Sequence, residues 1–223
     1  MHPYLYAFIC LIFAGAFTYY EVQERRVMSL VFKTLASLSF VMTGWRCSLF
    51  AQDTRTARFL FVGLVLGCVA DVLLNLRFLF PKFSDPLFLL GIAVFLSGHV
   101  MYLLAILPRT RYFLLCLALT VPITALLLRW HLKFVSASKV FIIFGFFYLG
   151  VFVLLLCNIL SCVFVSPSTF LLLFTLGAVF FFISDNLLIQ NTFRPAPVAG
   201  LTISLLAFYY VGQLLIALSM RCL

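Results

Sequence analysis

The sequence predicts an all-α polytopic membrane protein: a bundle of eight transmembrane helices, residues 1–223 forming a single domain, with both termini on the same side. Three observations carry this expectation. The chain is 65% hydrophobic and 9% charged, with 28 Phe, and no soluble domain of this length has the interior to bury that much apolar surface. The apolar runs are unbroken, reach the about 20 residues that a hydrocarbon core requires, and lack the period of two of a β-barrel. Short polar or Pro-containing connectors recur between the runs and leave no stretch for a soluble domain.

The first span, 1–20, has Tyr near both ends and lacks the basic n-region and small-residue cleavage site of a signal peptide. The polar cluster 21–26 closes it, and the second span, 27–45, contains Lys33. The polar stretch WRCSLFAQDTRTAR leads into the third span, 57–80, which holds Asp71 and Asn75. PKFSDP (81–86) is a turn by its two prolines and its Ser-Asp pair. The fourth span covers 87–107 and is followed by a tight connector, 108–111. The fifth, 112–128, contains Pro122, which membrane helices tolerate and which is expected to kink it. A basic connector, 129–139, precedes the sixth span, which runs to 162. Residues 166–168 turn the chain into the seventh, 169–190, and NTFRPAP (191–197) turns it into the eighth, 198–220. No internal repeat of the kind that builds inverted-repeat transporters is evident.

The formal net charge of +9 sits mostly in connectors, where Lys and Arg meet anionic lipid headgroups and set topology. Nucleic-acid binding is excluded for want of a basic patch interleaved with exposed aromatics. Connectors 1–2, 3–4, 5–6 and 7–8 are slightly richer in Lys and Arg than the opposite side, which by the positive-inside rule assigns them to the cytoplasm. The seven cysteines show neither CxxC nor metal-ligand spacing. Cys10, Cys68, Cys116 and Cys157 lie within spans as small hydrophobes.

Against this background the ionisable residues inside spans stand out: Lys33, Asp71 and Asp185. A charged side chain at mid-membrane costs about 2.5–3.5 kcal/mol on lenient scales, so such groups face a protein interior or a wet cavity and usually have a task there. At ~1.5 Å rise per residue the three lie roughly 9, 13 and 8 Å from one membrane face, with Asn75 and Asn186 at similar depth. Coincident depth on three helices suggests one shared polar site. Gly63, Gly67 and Asp71 recur every four residues, a stripe that lets a neighbouring backbone approach. Gly91, Phe95, His99 and Tyr102 share a face of the fourth span, and Gly177, Phe181 and Asp185 one of the seventh. Tyr209 and Gln213 share a face of the eighth. His99, Tyr102, Tyr148 and Gln213 lie deeper, as pocket lining or as interhelical hydrogen bonds. Each residue also has a purely structural reading, in which Lys33 neutralises one aspartate and the tyrosines fasten helices.

Four stretches together resemble the YhhN-like membrane proteins, a family that includes the lysoplasmalogenases. They are GLVLGCVADVLL, FLSGHVMYLLA, GAVFFFISDNLLIQNTF and FYYVGQLLIALS, in order and with the right span count, and Lys33 adds a fifth match. The chain departs from the family pattern at Ala70, Gly67 and Thr34, each beside an ionisable residue that is itself retained. The resemblance implies a multi-pass hydrolase of a bacterial inner membrane or eukaryotic endomembrane. It would cleave the vinyl-ether bond of lysoplasmalogens to a fatty aldehyde and a glycerophospho-headgroup, without a metal or other cofactor. Asp71 and Asp185 are then the catalytic pair. Lys33, Asn75, His99, Tyr102, Tyr148, Asn186, Tyr209 and Gln213 bind substrate or tune the carboxyls. That chemistry requires a protonated carboxyl to deliver a proton to carbon and a second carboxylate to stabilise the cation and activate water. Burial raises a carboxyl pKa and a nearby lysine lowers one, so two aspartates and one lysine can divide the roles.

Other classes use the same residues differently. A proton-coupled carrier would make Asp71, Asp185 and Lys33 an ion relay; broken helices near the aspartates would favour it, and none is apparent. A metal-dependent hydrolase would take Asp71, Asp185 and His99 as ligands, without an HExxH or His-rich signature. A non-catalytic lipid-binding protein would not need all three ionisable groups.

Overall fold

The computed structural model describes residues 2–135, 138–194 and 196–223. Met1 of the first span, Ser136 and Ala137 of the basic connector and Pro195 of NTFRPAP lie outside them. Among the described residues eight helices are long and apolar enough to cross a membrane. They are α1 (Pro3–Val22), α2 (Arg26–Ser48), α3 (Thr54–Leu76), α4 (Ser84–Ile106), α5 (Phe113–His131), α6 (Lys139–Val165), α7 (Thr169–Thr192) and α8 (Ala199–Ser219). The protein is therefore an integral multi-pass membrane protein.

Helix ends follow local chemistry. Pro3 opens α1, where its missing N–H costs nothing. The Ser168 hydroxyl accepts the Leu171 N–H at the start of α7 (3.2 Å). Hydroxyls within the spans return their hydrogens to the carbonyl four residues back, as Thr18, Thr34 and Thr43 do, and so need no water. α5 continues past Pro122. The main difference from the sequence reading is the end of α3. Its helix stops at Leu76 rather than at Phe80, because the Phe78 and Leu79 N–H groups turn to the carbonyls three residues back and Pro81–Phe83 form a 3-10 turn. Apolarity marks how far the chain stays in lipid, not where its helical hydrogen bonds end. With α3 shortened, Asp71 lies roughly 8 Å from the helix end, closer in depth to Lys33 and Asp185 than the sequence implied.

Sequential helices pair as hairpins, α1 with α2, α3 with α4 and α7 with α8, while α5 lies at the periphery against α6. The α3–α4 contact is close because Gly63 leaves room for the Tyr102 ring. At the end of the bundle remote from the aspartates, Asp53 caps α3. It accepts the Thr56 N–H (3.0 Å) and hydroxyl (2.7 Å) and pairs with Arg109 at 2.7 Å, tying α3 to the end of α4. Partial burial works against its charge, yet the hydrogen bonds from Thr56 and Arg109 hold the Asp53 carboxyl below its ordinary value. Asp53→Ala is expected to cost ~0.5–2 kcal/mol and Asp53→Asn less, since asparagine also caps. The folded-state pKa lies below the unfolded one. The ionic share is therefore present above about pH 4 and is lost as pH falls through the folded value, a difference that melts of wild type and Asp53→Asn between pH 7 and pH 3 would read.

Candidate active site

Asp71 is buried in α3 among groups that suit a carboxylate. Its Oδ1 is 3.3 Å from the Lys33 amine, and its Oδ2 accepts the hydroxyls of Ser37 (2.6 Å) and Tyr209 (2.7 Å). Two hydrogen-bonded chains meet there. From the membrane face, Glu21 accepts from Ser29, Ser29 from Asn75 (2.9 Å) and Asn75 from Lys33 (3.3 Å). From the interior, Tyr102 donates to Gln213 (3.1 Å), Gln213 to the Tyr209 oxygen (3.2 Å), and Tyr209 to Asp71. A buried polar chain of this kind is stabilising only while every member is satisfied. Five helices, α1, α2, α3, α4 and α8, are thereby tied to one carboxylate.

Asp185, on α7, is also buried but has, among the described residues, a single hydrogen-bond partner, the Tyr148 hydroxyl at 2.5 Å. Among the described residues no Lys or Arg lies within ion-pair distance of its carboxyl. Asp71 and Asp185 line one cavity of about 300 Å³, together with Lys33, Asn75, Ser184 and Tyr209. The cavity reaches the connectors through Glu21, Glu24, Arg26, Arg77 and Pro197, so it opens at the membrane face from which the carboxyls are shallowest. A second pocket of about 90 Å³ lies between α4, α5, α6 and α7, lined almost entirely by apolar side chains. Asp185 belongs to both, with Leu74, Phe88, Phe95, Leu188 and Thr192. A polar chamber and an apolar one meet at one carboxyl.

Two residues from the sequence reading lie elsewhere. Asn186 turns towards α5, where its Oδ1 meets His131 Nε2 at 2.8 Å and its Nδ2 donates to the Phe182 carbonyl. One step along a helix rotates a side chain by roughly 100°, so Asn186 cannot share the Asp185 face. His99 is buried in a box of rings, with Phe152 at 4.2 Å and Phe181 at 4.8 Å between centroids. Its neighbour Tyr148 is the residue that reaches Asp185. The Phe95 carbonyl lies near the His99 ring, but neither ring nitrogen makes a hydrogen bond of ordinary geometry among the described residues. Among the described residues no three His, Cys, Asp or Glu side chains are grouped to hold a metal ion.

The sequence reading missed Ser29, Ser37, Ser184 and Glu21. A signal for two of them was present: Ser29, Lys33 and Ser37 recur every four residues, a polar stripe along an apolar helix. Nothing in the sequence sets Arg26 or Arg77 apart from the other basic residues near span ends.

The fold and the cavity define a class: a multi-pass helical membrane protein with a buried carboxyl pair on one intramembrane cavity. The model of the YhhN family matches residues 28–220, and the chain belongs to that family. No curated protein and no solved structure matches the chain.

Proposed function

We propose that the protein is a membrane hydrolase that cleaves the vinyl-ether bond of lysoplasmalogens. The observation that supports this most is the inequality of the two carboxyls on one cavity. Asp71 meets a lysine and two hydroxyl donors, whereas Asp185 meets one phenol at the edge of an apolar pocket. Unequal environments are how a pair of carboxyls divides acid and base roles. Protonated Asp185 delivers its proton to C2 of the alkenyl chain, the double-bond carbon remote from the ether oxygen, leaving an oxocarbenium ion at C1. The Asp71 carboxylate stabilises that cation and takes a proton from the attacking water, which forms a hemiacetal. Asp71 then gives that proton to the glyceryl oxygen as the C–O bond breaks, and Asp185 takes the hemiacetal hydroxyl proton as the aldehyde forms, so the fatty aldehyde and the glycerophospho-alcohol leave with both carboxyls back in their starting states. The apolar pocket suits the hydrocarbon chain and the polar chamber the headgroup. The Lys and Arg balance of the connectors favours a cavity mouth on the cytoplasmic side.

The test is aldehyde release by detergent-purified protein from a lysoplasmalogen and from its saturated-ether and ester analogues. The expected result is release from the vinyl ether alone, undiminished after exhaustive EDTA treatment. Equal turnover of the ester would sink the proposal, and loss restored by Zn²⁺ or Mn²⁺ would replace acid–base by metal-assisted hydrolysis. A proton-coupled carrier is the second reading, favoured by the hydrogen-bonded chain from Glu21 to Tyr102 through Asp71. Substrate-dependent proton uptake in proteoliposomes without aldehyde release would support it.

A further inference from the structure

Arg77 follows the last residue of α3 and lines the outer part of the larger cavity. Its guanidinium lies over two rings, 4.6 Å from the centroid of Phe78 and 4.3 Å from that of Phe88. The Arg26 guanidinium lies 4.6 Å from the same Phe78 ring, so two cations share one phenyl group at the cavity mouth. Carboxylates are divided unequally among the cations there. Arg26 is 3.4 Å from Glu21 and 3.8 Å from Glu24, and Lys33 is 3.3 Å from Asp71. Among the described residues lining the cavity, Arg77 is the cation with no carboxylate within 4.0 Å, and its Nε is buried without a hydrogen-bond partner. Burial pushes the guanidinium down to about 10, the nearby charges of Glu21, Arg26 and Asp85 acting less strongly, and it remains a cation at neutral pH.

A desolvated cation with an unused donor, which Glu21 and Asp85 compensate only from beyond ion-pair distance, gains from an anion that enters and meets it directly. The rings on which Arg77 lies fix its planar fork, and a fixed guanidinium suits the paired oxygens of a phosphate. Lys33 is already committed to Asp71 and Asn75, which leaves Arg77 as the cation available to a phosphate.

We propose that Arg77, with Arg26 beside it, forms a phosphate subsite at the cavity mouth, and that its ligand is the phosphodiester of a single-chain lipid. Six residues, roughly 9 Å of helix rise, separate Arg77 from Asp71, which leaves room for a glycerol backbone between phosphate and reacting bond. The hydrocarbon chain then continues past Asp185 into the apolar pocket. The identity of the lipid rests on the hydrolase reading; the anion site does not.

The test is binding rather than turnover, on the full chain in a phosphate-free detergent, with a saturated-ether alkylglycerophosphocholine and an alkylglycerol of the same chain length. Neither has a vinyl ether to cleave. Wild type is expected to bind the phosphodiester on the order of tenfold to a hundredfold more tightly. Arg77→Gln removes that preference and leaves alkylglycerol affinity in place, while Arg77→Lys keeps part of it. Equal affinities in wild type, or an Arg77→Gln variant that weakens both ligands alike, overturn the subsite. The wild-type comparison decides alone if Arg77→Gln is not recovered folded. Inorganic phosphate that competes as well as the lipid, in an Arg77-dependent way, overturns the lipid as the source of the anion. A protein that shows the Arg77-dependent preference but releases no aldehyde loses the hydrolase reading and keeps the subsite; active protein without the preference does the reverse.

Discussion

Asp185→Asn is expected to fold normally and to cut aldehyde release by ~10²–10⁴-fold, the usual contribution of a general acid. Asparagine nearly preserves volume, and its carbonyl still accepts the Tyr148 hydroxyl, so the loss is confined to the proton. Asp71→Asn should lower turnover as much but also destabilise the protein. It leaves the Lys33 ammonium buried without its carboxylate, and breaking a buried pair from one side costs about 3–5 kcal/mol. Adding Lys33→Met should recover much of that stability without recovering turnover. The Asp71→Asn/Asp185→Asn double variant should turn over little more slowly than the poorer single one, because the two groups act as a unit. Melting in detergent and aldehyde release, measured on the same preparations, separate the two effects. Folded Asp185→Asn protein that works within a few-fold of wild type would leave the aspartate structural and the mechanism wrong.

The largest purely structural effect is expected at the crossing of α7 and α8. A Cβ on Gly177 would stand 2.8 Å from the Gly212 carbonyl oxygen and 3.0 Å from the Ile216 nitrogen. A Cβ on Gly212 would stand 2.9 Å from the Gly177 oxygen and 3.0 Å from the Phe181 nitrogen. Apart from Ile216 Cγ1, 2.8 Å from the Gly177 position, these obstructing atoms are backbone, so no rotamer change relieves the clash and the helices themselves must part. Overpacking of this kind costs typically ~1–3 kcal/mol for a methyl, and Gly177→Val should cost more than Gly177→Ala. The consequence reaches the site, since α7 carries Asp185 and α8 carries the Tyr209 that donates to Asp71. Gly200→Ala is the control, because a Cβ there meets nothing within 4 Å. Gly177→Ala protein that melts with the Gly200→Ala control would show that the close approach is dispensable.

What the sequence determines by itself is the class of protein and the identity of its most costly residues. Lipid is a uniform apolar solvent, so span number follows from runs of residues such as 140–165, and Lys33, Asp71 and Asp185 are conspicuous because that solvent penalises each of them. Helical periodicity carries the reading one step further. It puts Asn75 one turn from Asp71 and Gln213 one turn from Tyr209, and both pairs join the same network. It does not say how each helix is rotated against its neighbours, because a span apolar on several faces has little to distinguish them. Packing decides that Asn186 faces His131, that rings enclose His99, and that Ser37 joins the lysine and tyrosine on Asp71. Packing also decides which cations are free. In the sequence Lys33 is the conspicuous cation and Arg77 a basic residue near the end of the third span. In the folded chain Lys33 is neutralised by Asp71, while two rings and the end of α3 hold Arg77 over the cavity without a carboxylate. Local sequence fixes the cost of a charge in a membrane, and only tertiary structure fixes its partner, because ion pairing depends on ångström distances between side chains far apart in the chain.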